Sequence, residues 1–144
     1  MIQRLPLGPG SALPEWLERL EAATFGDSWG ALADHEWLWV EAGQGFARWM
    51  VIPKAGEAEL LRIAVDPTAR RTGLGRALLE FSEADLQRSG LRNLHLEVRI
   101  SNSSARALYE SQGWRVSGQR PRYYQDGEDA VLYAKEIEAG GFRL

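Results

Sequence analysis

A short basic segment with two glycines is the part of this chain best suited to bind a ligand. Its sequence is Arg70-Arg71-Thr72-Gly73-Leu74-Gly75-Arg76. An apolar run typical of a strand precedes it, and a run with helical apolar spacing follows it. Unpaired amides at the start of a helix attract anions, and glycine lets a ligand approach the backbone closely. The segment therefore suits a pyrophosphate with added arginine contacts, unless it is an ordinary connection with a solvated basic loop.

Two familiar phosphate-binding motifs are excluded by the residues of this segment. A P-loop requires Lys and then Ser or Thr after its last glycine, whereas Arg76 and Ala77 follow Gly75. A dinucleotide-binding fingerprint requires a third small residue at the position of Leu78. An anion site at this segment would therefore belong to neither class.

A carboxylate and a phenol are candidates for proton transfer. The strand predicted over residues 94–99 alternates, so that Glu97 lies on the face opposite the apolar side chains. Tyr109 follows twelve residues later on a predicted helix, so both side chains can face one cleft as acid and base. From the residues alone, two other interpretations are favoured. Glu97 could be a solvated carboxylate paired with Arg99, and Tyr109 a packed aromatic on its helix.

Four helices are predicted from apolar spacing and capping residues. Ser11 would cap the first helix. Asp27 or Ser28 would cap a short second helix over residues 29–34. The fourth helix would be capped by Asn102 and closed by Gly113. The third would begin at the second half of the basic segment and bury one apolar face, made of Leu74, Ala77, Leu78 and Phe81.

Seven strands alternate with these helices. They are predicted over residues 2–7, 36–41, 46–52, 60–65, 94–99, 114–117 and 128–135. Hairpins combined with one strand–helix–strand crossover predict an α/β protein of the α+β type, with a mixed, mostly antiparallel central sheet of about seven strands and helices on both faces. Residues 1–144 are expected to form a single domain.

Composition excludes several classes of protein. A net charge of −3 argues against a protein that coats nucleic acid. The chain has no cysteine, and therefore no disulfide, thiolate nucleophile or cysteine-ligated metal. Asp34-His35-Glu36 lacks partners at ligand spacing, so no metal is expected. No segment is long and apolar enough to span a bilayer and no signal-peptide pattern is present, so no membrane partner and a cytoplasmic location are expected.

Several segments together resemble the GCN5-related N-acetyltransferase (GNAT) superfamily. Arg70-x-x-Gly73-x-Gly75 after a strand is similar to its acyl-CoA signature. The other segments that carry the resemblance are Ile63-Ala64-Val65-Asp66-Pro67, Gly73-Leu74-Gly75-Arg76-Ala77-Leu78-Leu79, Leu96-Glu97-Val98-Arg99, Ala107-Leu108-Tyr109-Glu110-Ser111, Tyr123-Tyr124 and Gly127-Glu128-Asp129-Ala130. Within the superfamily they are similar to the bacterial enzymes that acetylate the N-terminal alanine of a ribosomal protein. The resemblance covers roughly residues 58–136 well and the first 55 poorly.

The resemblance implies the GNAT fold and a site for acetyl-CoA as co-substrate. In that fold a bulged central strand and its splayed neighbour leave a V-shaped opening for the pantetheine arm. The backbone of Ile63, Ala64 and Val65 would bind that arm, and one amide would polarise the thioester carbonyl. Residues 70–76 would bind the pyrophosphate. Asn102 would hydrogen-bond the CoA arm as well as cap its helix.

The resemblance also implies catalytic roles and an acceptor groove. Glu97 would be the general base, acting directly or through a water, and Tyr109 would be the general acid that protonates the departing CoA thiolate. The acceptor groove would be lined by Trp29, Arg122, Tyr123 and Tyr124. Around Trp29 the chain has Asp27-Ser28-Trp29-Gly30 in place of the Pro-Trp-Ser turn typical of the family, a difference located where the acceptor would be recognised.

The expected function is an acetyl-CoA-dependent N-acetyltransferase that acts on the α-amino group of a protein. By resemblance, the acceptor partner is a small-subunit ribosomal protein with an N-terminal alanine. The first alternative is a GNAT acetyltransferase that acts on a small-molecule amine or another protein N-terminus. A non-catalytic acyl-CoA sensor and a nucleotide-phosphate binder are hypotheses of other classes.

Overall fold

A computed structural model of the protein describes residues 1–138. Its strands are β1 (Gln3–Leu5), β2 (Glu36–Glu41), β3 (Gly45–Ile52), β4 (Glu57–Val65), β5 (Asn93–Arg99), β6 (Arg115–Arg120) and β7 (Ala130–Glu136). Its α-helices are α1 (Glu15–Phe25), α2 (Leu74–Arg88) and α3 (Ser103–Ser111). Within residues 1–138, none of the helices combines the length and the apolar character that crossing a membrane requires.

All seven strands join one mixed sheet in the order β1-β2-β3-β4-β5-β7-β6. Five neighbouring pairs are antiparallel, and β4 with β5 is the parallel pair. The helix α2 connects those two parallel strands, because parallel neighbours require a crossover. The predicted fold class is confirmed.

The two faces of the sheet carry separate apolar clusters. One cluster packs α2 and α3 on the sheet, through side chains such as Leu78, Leu86 and Tyr109. The other packs α1 on β2, β3 and β4, through side chains such as Leu17 and Phe46. Successive residues of a strand point to opposite faces of the sheet, and this alternation separates the two clusters of apolar side chains. Helices therefore cover both faces, but α1 covers only the half of its face that lies over β2 to β4.

The buried face of α2 differs from the prediction at one position. Phe81 is 39% exposed, whereas Ser82 and Glu83 are buried. Both polar residues accept a hydrogen bond from the indole of a buried tryptophan, Ser82 Oγ from Trp49 at 3.1 Å and Glu83 Oε2 from Trp114 at 3.0 Å. A buried indole N–H without a partner would cost about 1–3 kcal/mol. The helix therefore turns polar residues inward.

The predicted helix over residues 29–34 is wrong. The segment is irregular, and Gly30 has a left-handed φ of 70°. Two of its backbone groups bind buried side chains instead of each other: the amide of Trp29 donates to Glu21, and Ala31 O accepts from Arg48. The N-cap prediction for Ser11 is also wrong, since α1 begins at Glu15 directly after Pro14. The predicted caps at Asn102 and Gly113 are confirmed: Asn102 Oδ1 accepts from the amide of Ala105 at 3.2 Å, and Gly113 has a φ of 90°.

Candidate active site

The parallel strands β4 and β5 run together for only four residue pairs. The pairing starts at Glu57 with Asn93 and ends at Leu60 with Leu96. Beyond that point β4 continues to Val65 and β5 continues to Arg99 without pairing to each other. The central sheet therefore contains a V-shaped gap.

A β-bulge lies where the gap begins. Trp49 of β3 pairs with Leu60, and the preceding Arg48 pairs with Arg62, so that Leu61 is the extra residue of β4. A bulge bends its strand and increases its twist. The bend therefore comes at the residue that directly follows the last β4–β5 pair.

Ile63, Ala64 and Val65 lie on the β4 side of the gap. On their other side they pair with β3, while no strand among the described residues covers their edge toward β5. Ala64 packs toward α1, and Ile63 and Val65 pack against the α2 cluster. Their side chains serve the core while their backbone edge stays open to an extended ligand that binds like an added strand.

The basic segment forms a cradle of free amides at the start of α2. The first hydrogen bond inside the helix runs from the amide of Ala77 to Gly73 O, and no amide of residues 71–76 donates a hydrogen bond to a described residue. Arg71 and Gly73 have left-handed φ values of 65° and 84°. Only a short 3-10 turn, Pro67–Ala69, separates the cradle from β4, so an anion bound there would lie at the open end of the gap.

Side-chain contacts hold the cradle in place. Thr72 Oγ1 donates to Ala69 O at 2.5 Å, and Arg70 Nε donates to Val65 O at 3.1 Å. Arg76 reaches across to α3 and donates to Ser111 Oγ at 3.3 Å. The side chain of Arg71 is exposed and points to solvent with no hydrogen bond to a described residue. It is the arginine of the segment most free to bind an incoming anion.

Glu97 lies on β5 just beyond the last β4–β5 pair. It is on the same face of the sheet as α1, in the half that this helix leaves uncovered. Its carboxylate is 3.4 Å from Arg120 Nε and is largely shielded from solvent. The predicted alternative partner, Arg99, instead binds Asp126 and Glu128 at 2.8 and 2.9 Å. Glu97 therefore belongs to a cleft of about 270 Å³ rather than to a solvated surface pair. The cleft is lined by Glu57, Glu59, His95, Leu96, Glu97, Ser117, Arg120, Leu132 and Tyr133.

Two carboxylates of this cleft were not predicted. The strand β4 begins at Glu57, three residues before the predicted start, so Glu57 and Glu59 lie on the sheet beside β5. Glu57 Oε1 is 3.0 Å from His95 Nε2. The pKa of Glu59 is raised, first by burial and then by the negative charge of Glu97. Their spacing of two residues is the signal that could have placed both on one face of β4.

Tyr109 lies on the opposite face of the sheet from Glu97. It is buried, with ring centroids of Trp114 and Tyr133 each 6.1 Å away. Burial raises the pKa of its phenol to about 12, so the group keeps its proton throughout the neutral range. The prediction that Glu97 and Tyr109 face one cleft needs refinement, since the two side chains lie on opposite faces of the sheet, beside the gap between β4 and β5.

The loop before β7 places two tyrosines over the Glu97 face. Tyr123 is 49% exposed, and its pKa is raised by a hydrogen bond to the Glu97 carboxylate. The ring of Tyr124 packs edge-on against that of Tyr123 at 5.1 Å and under the Arg99 guanidinium at 4.1 Å. Arg122 is held by its amide, which donates to Asp129 Oδ1 at 2.9 Å, and its side chain is exposed.

A buried ionic network anchors the loop that carries Trp29. Glu21 of α1 is fully buried and binds Arg48 and Arg62 at 3.3 and 3.2 Å. The same carboxylate accepts hydrogen bonds from Ser28 Oγ and from the amide of Trp29. The Arg62 guanidinium lies 3.7 Å over the indole of Trp29, which is 45% exposed. Because Arg62 follows the bulge residue, this loop is attached to β4 beside the gap.

The amino-acid sequence matches the model of the acetyltransferase (GNAT) family over residues 7–114. The chain belongs to the GNAT family. Over 84 residues, 56% of the chain, it is 51% identical to the [ribosomal protein bS18]-alanine N-acetyltransferase of Escherichia coli strain K12. That match spans 57% of the length of the curated relative, slightly more than half.

Solved structures of other proteins have the same fold. The crystal structure of the ribosomal-protein-S18-alanine N-acetyltransferase from Escherichia coli superposes with a TM-score of 0.76 and 34% identity, covering 100% of this chain and 99% of that one. Arabidopsis thaliana NAA60 in complex with a bisubstrate analogue superposes with a TM-score of 0.74 at 18% identity, over 95% of this chain and 98% of that one. The second comparison bears on the fold alone.

The anchoring network of this GNAT chain predicts a large effect of Glu21→Ala. Removing the buried carboxylate leaves Arg48 and Arg62 with fewer partners, so the free energy of unfolding should fall by about 3–5 kcal/mol. Glu15→Ala is the matched control, because Glu15 lies on the same helix in an exposed pair with Arg19 and should cost about 0.5 kcal/mol or less. Urea unfolding of both variants measures the difference. Equal losses in the two variants would contradict the importance of the network.

Proposed function

We propose that this protein is an acetyl-CoA-dependent N-acetyltransferase that modifies the α-amino group of a protein. The observation that carries the proposal is the gap between β4 and β5, which has a cradle of free amides at its end and a carboxylate and a neutral phenol on its two faces. A thioester in this gap would be reached by the amine from the Glu97 face. The leaving thiolate would be reached by Tyr109 from the other face.

Acetyl-CoA fits the groups that line the gap. Its pyrophosphate would accept hydrogen bonds from the amides of residues 71–76, with added charge from Arg71. The pantetheine arm would pair with the open edge of Ile63, Ala64 and Val65 in the manner of an added strand. Asn102 lies at the start of α3, at the end of β5, and its side-chain amide could donate to the arm while Oδ1 caps the helix.

The residues on the two faces support a direct transfer. An amine reaches the cleft as an ammonium ion, and Glu97 would accept the first of the two protons that the nitrogen must lose. The second proton would leave to water once the C–N bond has formed. A backbone amide of β4 would stabilise the negative charge that develops on the carbonyl oxygen as the C–N bond forms. When the C–S bond breaks, Tyr109 would donate its proton to the thiolate, and its raised pKa keeps that proton available at neutral pH.

For the acceptor, we propose the N-terminal alanine of a small-subunit ribosomal protein. The support is the 51% identity to an enzyme named for this reaction and the superposition of the whole chain on its crystal structure. Trp29 and Tyr123 are exposed aromatic side chains at the rim of the Glu97 face, where they could hold a peptide. A ribosomal acceptor also places the reaction in the cytoplasm.

Acetylation of a synthetic N-terminal peptide tests this function. The peptide carries the first residues of ribosomal protein bS18 after its initiator methionine, and mass spectrometry follows the addition of an acetyl group from acetyl-CoA. The same peptide with a blocked N-terminus is the control, since any acetylation there would come from side chains. We expect modification of the free peptide alone. Turnover of a small primary amine without turnover of the peptide would favour a small-molecule acetyltransferase.

Replacement of the proton acceptor Glu97 or the proton donor Tyr109 should reduce turnover without loss of the acetyl-CoA site. We expect Glu97→Gln and Tyr109→Phe each to lower kcat by about 10²-fold or more. The KM for acetyl-CoA should change little, because neither side chain lies at the amide cradle. Because the Tyr109 pKa is raised to about 12, its ionisation should cause no fall in wild-type kcat between pH 8 and 10. Full activity of either variant would contradict the assigned role.

Gly73→Ala should weaken acetyl-CoA binding because it strains the cradle. A side chain at a φ of 84° costs about 1–2 kcal/mol, and movement of the loop to relieve that strain displaces the amides. We expect the Kd for acetyl-CoA, measured by calorimetry, to rise about tenfold. Gly90→Ala is the matched control, because Gly90 has a φ of 92° at the other end of α2. It should lose similar stability but bind acetyl-CoA like the wild type.

A further inference from the structure

Glu59 occupies a distinctive place on the floor of the Glu97 cleft. It pairs with His95 one residue before the last β4–β5 pair, so it lies on β4 at the mouth of the gap. Strand alternation puts Glu59, His95 and Glu97 on the same face. An amine that approaches the gap from this face would pass between the two carboxylates, one on each strand.

The charges around Glu59 are paired, but Glu59 is not. Glu57 binds His95 at 3.0 Å, and Glu97 binds Arg120 at 3.4 Å. The Glu59 side chain makes no hydrogen bond or ion pair with any residue in the described part of the chain. It is nevertheless partly buried, and its raised pKa shows that burial and Glu97 outweigh the attraction of His95 and Arg120. A carboxylate that is partly removed from water and has no ion-pair partner lowers the stability of the fold, unless a bound cation pairs with it.

We propose that Glu59 is an acceptor-binding residue that receives the ammonium form of the substrate amine and holds it beside Glu97. This inference rests on the proposed function, because it assigns the recognition of the acceptor in the same site. The ammonium group has three N–H donors, enough to contact Glu59 and Glu97 at once. One proton then passes to Glu97, and Glu59 keeps its negative charge beside the nitrogen while the C–N bond forms.

This division of work makes a distinct kinetic prediction. If Glu59 binds the ammonium group and Glu97 accepts the proton, Glu59→Gln should raise the acceptor KM about tenfold, the effect of losing one charge-assisted contact. The kcat and the KM for acetyl-CoA should stay within about twofold of the wild type. Glu59→Asp should recover part of the acceptor affinity. The melting temperature should not fall, because an unpaired carboxylate is removed.

A matched control and a neutral analogue separate this role from a structural one. Glu136→Gln makes the same change on the same face of the sheet at an exposed position outside the cleft, and it should leave all constants unchanged. The acceptor peptide with its N-terminal amino group replaced by hydrogen is a dead-end inhibitor that carries no ammonium. Its inhibition constant should be equal for the wild type and Glu59→Gln.

The kinetic constants of Glu59→Gln show whether Glu59 binds the acceptor or accepts its proton, and the proposed function is tested separately. An acceptor KM within twofold of the wild type in Glu59→Gln would overturn the inference. A large fall in kcat with an unchanged acceptor KM would also overturn it, because Glu59 would then be the proton acceptor. If the wild type acetylates a small amine and no peptide, the proposed acceptor is wrong. The KM for that amine then tests Glu59 in the same way.

Discussion

The parting of two parallel strands in the middle of the sheet is the constraint on which the rest of the site depends. Past Leu60 and Leu96 the two backbones no longer satisfy each other, although strand edges in the middle of a sheet are normally paired. The bulge at Leu61 turns β4 away while β3 and β7 keep β4 and β5 paired on their outer sides. An open edge is thereby held inside a rigid sheet. A ligand with its own amides can complete it.

The two faces of the sheet give the gap different chemical surroundings. On the α2 and α3 face, aromatic packing removes water from Tyr109 and keeps its phenol neutral. On the other face, α1 stops short of β5, and carboxylates line the exposed floor. Buried ionic contacts from Glu21 then attach the Trp29 loop to the strand beside the gap. A phenol that can donate a proton and a carboxylate that can accept one therefore lie on opposite faces of the sheet beside the gap.

The sequence predicted the elements that depend on local signals. The Asn102 cap, the Gly113 closure and the strand Glu36–Glu41 follow from residue type and spacing within a few positions. The helix predicted over residues 29–34 does not form, because distant Glu21 and Arg48 take its backbone groups. Phe81 faces outward because the buried indoles of Trp49 and Trp114 need polar partners from α2.

The candidate site shows the same division between local and distant effects. The basic segment and Glu97 could be selected from motif and alternation alone. Glu59 could not, because glutamate is disfavoured in strands and its place beside His95 depends on the register of two strands far apart in the chain. The faces of Glu97 and Tyr109 likewise depend on the sheet order, which local patterns do not encode.

A crystal structure of the protein with acetyl-CoA bound is the most direct test of the role of the gap. We expect the thioester between residues 61–65 and residues 97–99, with the pyrophosphate on the amides of residues 71–76. Backbone hydrogen bonds from the pantetheine arm should run to the β4 edge of the gap. A structure in which β4 and β5 pair along their full length, with the pyrophosphate bound elsewhere, would contradict it.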